Sequence, residues 1–237
     1  MIMDAQSLSE SHRIEVPPAG GVRVWLFRAT PELAERSRCV LSAEEASDVD
    51  RMARERDRLS ATVSRAAWRH AAGHAMGVEP SVVEVDRTGY GRPFPVGLER
   101  TVTDLSTSHA IDLVGLAVGH GVRVGVDVEA TTGVQVDDHI NHAVESITGP
   151  AIELIQDRTE RLLFAWCVLE ALLKADGRGM HLNPSMVSTE IRNLWGWNAA
   201  RVAGTAWWVR RFETPAGFMG AVAAAGPVVD IDFRSVL

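Results

Sequence analysis

Every residue from Leu162 to Leu173 is apolar except Glu170, and Lys174 follows one helical turn later. A run of that length, with glycine at Gly177 and Gly179 just beyond it, predicts a buried helix over roughly 157–176 that stops at glycine. An ionised carboxylate in such a helix is costly unless it is paired or bound to a cation. Lys174 lies four positions on, on the same face, so a structural Glu–Lys pair is one answer. A charge with work to do is the other. Any fold for this chain must cover that helix on most of its surface.

The rest of the chain supplies the cover. Gly21–Phe27 alternates and predicts a strand. Ser42-Ala-Glu-Glu45 is a capping-box pattern, so a helix is expected from about residue 43, running on through Arg51–Arg58 to Met76 and stopping at Gly77. Val82–Val85 predicts a short strand and Thr88–Pro95 a turn-rich loop. Leu113–Val118, Gly119-His-Gly121 and Val122–Glu129 predict a hairpin, and further strands are expected near 205–212 and 217–224. The tryptophan-bearing segments 64–77 and 165–177, each closed by glycine and followed by strand-like sequence, are a faint internal echo of two α/β halves joined near residues 115–130.

Net charge is −7 and pI about 5.6, which gives no electrostatic reason to expect nucleic acid. The two cysteines, Cys39 and Cys167, form no Cys-x-x-Cys pair, so neither a disulfide framework nor a thiolate zinc site is indicated. The first twenty residues are polar and lack an apolar signal core. A soluble, cytoplasmic protein with a loose or extended N-terminus (1–20) is the expectation.

Asp127 and Glu129, two apart in a strand, share a face. With Glu170 they make three carboxylates that, brought together, would suit one Mg²⁺, with water and substrate phosphate completing its shell. Two bland readings stand beside this one. A DxE on a strand is commonly a solvated face, and Arg51, Arg54, Arg56, Arg58, Arg65 and Arg69 could be a solvated helix face with Asp50, Glu55 and Asp57 as partners. A third possibility is a metal hydrolase on Asp137-Asp-His-Ile-Asn-His142, where His139 and His142 could share a helical face, although such a pair is ordinarily solvated surface.

Val124-Gly-Val-Asp-Val-Glu129, followed some forty residues later by Trp166-Cys-Val-Leu-Glu-Ala-Leu-Leu-Lys174 and Gly177-Arg-Gly179, resembles the two signature motifs of 4'-phosphopantetheinyl transferases. The larger, pseudo-dimeric (surfactin-synthetase-activating) type, which serves polyketide and nonribosomal peptide synthetases, is the match. Gly91-Arg-Pro93 resembles that family's G-K-P loop, and Ser108-His109 its S-H motif, all in the family's order over residues 89–180.

The resemblance implies an α/β fold of two pseudo-symmetric lobes, 21–118 and 119–237, the second carrying the acidic site. It implies transfer of the phosphopantetheine arm of coenzyme A to a serine of an acyl- or peptidyl-carrier protein, with release of 3',5'-ADP. Mg²⁺ would be held by Asp127, Glu129 and Glu170. Glu170 and Lys174 would be catalytic, and Arg65, Arg92, Ser108, His109 and Lys174 would hold the coenzyme. A monomer is expected, and the arginine-bearing helix, at Arg54 and Arg58, is a candidate docking face for an acidic carrier. Three positions depart from the family pattern: Leu169 stands where a lysine is usual, Ser106 where asparagine is usual, and Arg92 replaces the loop lysine. Leu169 motivates the alternative of a relative that binds coenzyme A or a carrier protein without transferring.

Overall fold

The computed structural model describes residues 14–132, 138–226 and 230–236. Most of the N-terminus expected to be loose (1–13), Asp137 and the side chain of His139 lie outside the described residues.

The chain opens with β1 (Gly21–Arg28), the short helix α1 (Pro31–Ser37), α2 (Ala43–Asp50) and the long α3 (Glu55–Met76). The capping box at Ser42 forms as the spacing predicts: Ser42 Oγ accepts from the Glu45 amide and the Glu45 carboxylate accepts from Ser42 N. The single helix expected from 43 to 76 is broken at 51–54. The Arg58 guanidinium bonds the carbonyls of Met52 and Ala53 at 2.8 and 3.3 Å and closes the chain there, an interaction no proline or glycine announces. Gly77 ends α3 in the left-handed region, φ 68°. The strand expected at 82–85 is displaced: Pro80–Val82 is a single helical turn, and β2 (Val85–Arg87) pairs with β3 (Pro93–Pro95).

β4 (Thr103–Ala110) and β5 (Leu113–His120) form a tight hairpin, and then comes β6 (Val124–Ala130). The hairpin expected between β5 and β6 does not form. β5 pairs with β1 and β4, whereas β6 pairs with β11 (Phe218–Ala224) in another sheet. A Cβ on Gly119 would lie 2.3 Å from the Val122 carbonyl, so the chain doubles back there too sharply for a ladder. It steps instead from one sheet to the next. Gly115 leaves room for that stacking, since a Cβ there would already be 3.2 Å from Val128.

α4 (Asp138–Ala143), β7 (Ile147–Thr148) and α5 (Arg158–Asp176) follow, then β8 (Val187–Glu190), β9 (Asn198–Val202), β10 (Thr205–Arg211), β11 and β12 (Asp230–Val236). The first sheet has the order β12-β1-β5-β4 and the larger one β6-β11-β10-β9-β8-β7. β12, which the sequence places in the second lobe, runs parallel beside β1 in the first sheet. Four layers result: α3, first sheet, second sheet, α5. One core lies between α3 and the first sheet, a second between the sheets, and a third around α5.

Where the sheets meet, their edges β4 and β6 run side by side without a backbone ladder. Side chains on alternate positions of β4 make the seam. Asp104 accepts from Val124 N at 2.9 Å, Ser106 Oγ from Val126 N at 3.1 Å, and Ser108 Oγ donates to Asp127 at 2.7 Å. Ser106, one of the departures from the family pattern, thus has a definite structural task. Among the described residues no helix is long and apolar enough to cross a membrane.

Candidate active site

β6 places Val124, Val126 and Val128 in the core between the sheets. The period of two then turns Gly125, Asp127 and Glu129 to the opposite face, where α5 packs. Gly125 is what lets the two elements touch: a Cβ there would fall 2.1 Å from Ala171 O and 2.4 Å from Ala175 N. α5 is buried almost all round, through Leu163, Phe164, Cys167, Val168, Leu169, Leu172 and Leu173. Leu162, Trp166, Glu170 and Lys174, each four apart, form a half-buried stripe. The cover over α5 is thinnest along that stripe.

At the lower end of the stripe Lys174 Nζ donates to Asp127 Oδ1 at 2.7 Å and to Ser108 Oγ at 3.0 Å. Ser108 donates to the same Asp127 oxygen. Asp127 is 3% exposed, and its other oxygen, Oδ2, is buried with no hydrogen-bond partner. Burial alone would lower the pKa of Lys174, but Asp127 and then Glu170 outweigh it and hold the pKa above the ordinary lysine value. Burial, reinforced by Asp127, pushes Glu129 up to about 7 against the relief given by Lys174 and by the Trp166 indole. Glu170 is raised too, by burial first, with Lys174 opposing and Asp127 adding. The three acids and the lysine therefore share one electrostatic neighbourhood in which negative charge is in excess.

The donors are hard oxygens with one buried lone oxygen among them, which fits a hard divalent cation in kind. They do not enclose one by themselves: among the described residues no group of three His, Cys, Asp or Glu side chains is gathered closely enough for that. Cys167 lies behind the acids, fully buried, and burial followed by Asp127 and Glu129 raises its thiol pKa well above the usual value. It is an inert packing group here.

His109 lies on the first-sheet side of the same place. The protein around its ring, then Lys174, lowers its pKa; Arg65 acts in the same direction, while Asp57 and Asp127 oppose. Arg65 is half-buried on α3, with its Nη1 buried and unpartnered. A cleft of about 240 Å³ runs from Lys174 past Trp68, Ser106, Gly177 and Gly179 to Gly91-Arg-Pro93.

Arg92 lines the far end of that cleft but is engaged inward. It donates to Asp104 at 2.9 Å, to Leu105 O at 2.8 Å and to Val124 O at 3.0 Å. Burial outweighs Asp104 and brings its pKa down to about 10. Arg69 is also internal, holding Glu45 at 2.6 Å and the carbonyls of Pro80 and Val83, both at 3.0 Å. Of the other helix arginines, Arg51 and Arg56 pair with Asp48 and Asp57.

Sequence reasoning missed Asp104, Arg100 and Arg123. Arg100 and Asp104 stand four apart, the one signal available; nothing in the sequence marks Arg123. Arg100 donates to both Asp104 oxygens, at 2.7 and 3.0 Å. Arg123 bonds Ala175 O at 2.9 Å and also Asp176 O, capping the end of α5, while its guanidinium lies 5.1 Å over Trp207.

Residues 28–120 match the family model described as 4'-phosphopantetheinyl transferase, N-terminal. A protein from Thraustochytrium sp. named "Phosphopantetheinyl transferase" is 31% identical over 186 residues, an alignment covering 69% of this chain and 63% of that protein. The chain thus spans a little under two thirds of that relative's length. Its mixed α/β architecture agrees with the match, and both comparisons point to the 4'-phosphopantetheinyl transferase family. The family match takes in Arg65, Arg92, Ser108 and His109 and stops before Asp127.

Proposed function

We propose that this chain transfers the 4'-phosphopantetheine arm of coenzyme A to a serine of an acyl- or peptidyl-carrier protein, in a Mg²⁺-dependent reaction. The observation that carries the reading is the convergence of β4, β6 and α5 on Ser108, Asp127 and Lys174, with Glu129 and Glu170 in the same field. Asp127, through its free Oδ2, together with Glu129 and Glu170, would hold the metal. When bound there, Mg²⁺ supplies charge neutralisation to the coenzyme A pyrophosphate.

The chain's own groups do the rest. Glu170, whose raised pKa makes it a better base than an exposed glutamate, accepts the serine proton as the serine oxygen bonds to phosphorus. The bond from phosphorus to the bridging pyrophosphate oxygen breaks, and 3',5'-ADP leaves with the electron pair. Lys174, held charged by its acidic neighbours, stabilises the negative charge that grows on the phosphates. Arg65, whose Nη1 has no protein partner, and His109 would hold the nucleotide end of the coenzyme.

Leu169 favours a non-transferring relative on sequence grounds. Its side chain is fully buried in the core around α5, so a lysine at this position of this helix would bury its charge rather than reach a phosphate. That supports the active reading. Incubation with coenzyme A, Mg²⁺ and a panel of apo carrier proteins tests it: a phosphopantetheine mass gain on at least one carrier is expected. Calorimetric binding of coenzyme A with no gain on any carrier, while a second transferase modifies them all, would favour the non-transferring alternative.

A further inference from the structure

Asp104 is 2% exposed, in the middle of the seam. Its carboxylate accepts from Arg92, twice from Arg100, and from the Val124 amide. Each of those donors leads to a different part of the site. Arg92 belongs to the loop that lines the far end of the cleft. Val124 begins β6, three residues before Asp127. Arg100 reaches Ala175 O at 3.4 Å, in the last turn of α5, next to Lys174. Arg123 bonds the same carbonyl at 2.9 Å.

A buried carboxylate with two guanidinium partners and a backbone amide is fully satisfied, so it has no capacity left for a ligand. Its position is fixed by elements that do not otherwise touch through backbone bonds. The geometry points to Asp104 as a positioning residue for the proposed transfer: it fixes β6 and the end of α5 against the cleft, and so aligns Asp127 with Lys174, without touching substrate. This rests on the reading given under Proposed function. It also gives Arg92 and Arg100 a different part from phosphate ligands, since both face the carboxylate that holds the site together.

Two variants of the full chain test it. Asp104→Asn keeps the shape and removes the charge. Arg100→Gln leaves the Arg92 and Val124 bonds to Asp104 in place. For Asp104→Asn, kcat for transfer should fall about 10- to 100-fold, as expected for a small misplacement of reacting groups. The KM for coenzyme A should stay within about threefold, because no phosphate contact is lost. Arg100→Gln should show the same pattern at roughly a tenth of the size, and it decides the matter if Asp104→Asn does not fold.

A readout independent of activity is the ammonium resonance of Lys174, observed by nitrogen-15 NMR. Held by Asp127 and Ser108 in the unaltered protein, it should exchange faster with solvent in both variants. A raised KM with kcat preserved would make the arginines phosphate ligands and overturn the proposal. A lowered melting temperature with unchanged kcat and an unchanged Lys174 resonance would reduce Asp104 to a structural pin and overturn it as well. If the unaltered protein transfers nothing to any carrier, the functional reading fails, and the Lys174 resonance alone judges the positioning role.

Discussion

α3 and α5 hold corresponding places in the two halves of the molecule. Each covers the outer face of a sheet, carries a tryptophan and ends on a left-handed glycine, Gly77 or Gly177. Each also buries a cation, and there they part. Arg69 of α3 is satisfied by Glu45 and two carbonyls. Lys174 of α5 is satisfied by an aspartate that keeps one oxygen unpartnered, among acids whose own pKa values are raised. A buried charge met by fixed, complete partners belongs to the fold. A buried charge met by crowded, incompletely neutralised groups is free to serve a reaction.

The comparison breaks first at the glycines. Gly125→Ala would drive a methyl into the backbone of α5 at 2.1 Å from Ala171 O, and should cost about 3 kcal/mol or more. Any folded remainder should also have lost transfer, because α5 must move away from β6. Gly73→Ala in α3 meets Val78 O at 2.7 Å and should cost about 1–3 kcal/mol with activity per folded molecule preserved. Denaturant midpoints beside turnover numbers separate the two.

Next come the cations. Arg69→Met leaves Glu45 and two carbonyls without their donor and should destabilise by about 3–5 kcal/mol, again without changing the turnover of folded protein. Lys174→Met should instead lower turnover by about 10²- to 10³-fold. Its stability loss should be small below pH 6, where the raised acids can take up protons, and larger at pH 8. Equal stability losses at the two positions, or turnover lost at both, would end the distinction.

Glu129 gives a pH signature confined to the α5 side. Its folded pKa, about 7, stands above the ordinary glutamate value of 4.5. Its contribution to stability is therefore fully present below about pH 4.5 and is lost as pH rises through 7. Melting temperatures taken without divalent metal should fall from pH 5.5 to 8, and Glu129→Gln should remove that part of the slope. The smallest effect belongs to the solvated end of α2, just before α3. Arg51→Ala breaks an exposed pair with Asp48 and should change stability by less than about 0.5 kcal/mol.

What the sequence disclosed was local. The Ser42 capping box, the glycine stops and the face shared by Asp127 and Glu129 depend on residues a few positions apart, and all of them are in the structure. What it hid depends on distant partners. The apolar runs 113–118 and 122–129 look like a hairpin because their pattern does not say which sheet each joins; Gly119 and the Val122 carbonyl decide that. Arg92 carries the spelling of a phosphate-binding loop, but its burial beside Asp104 follows from strand order, not spelling. The break after α2 was invisible because a side chain, Arg58, closes it. The acids were legible as candidates from motif and face; that Lys174 meets Asp127 through Ser108's oxygen partner was not.

The β4–β6 seam has one further implication. Between ordinary strands, cohesion comes from peptide groups that every sequence possesses, so mutation cannot easily loosen it. Here a carboxylate and two hydroxyls do that task, which makes the grip between the halves heritable residue by residue. Relatives can therefore open or tighten this junction by single codon changes, and with it the width available to whatever lies between the halves.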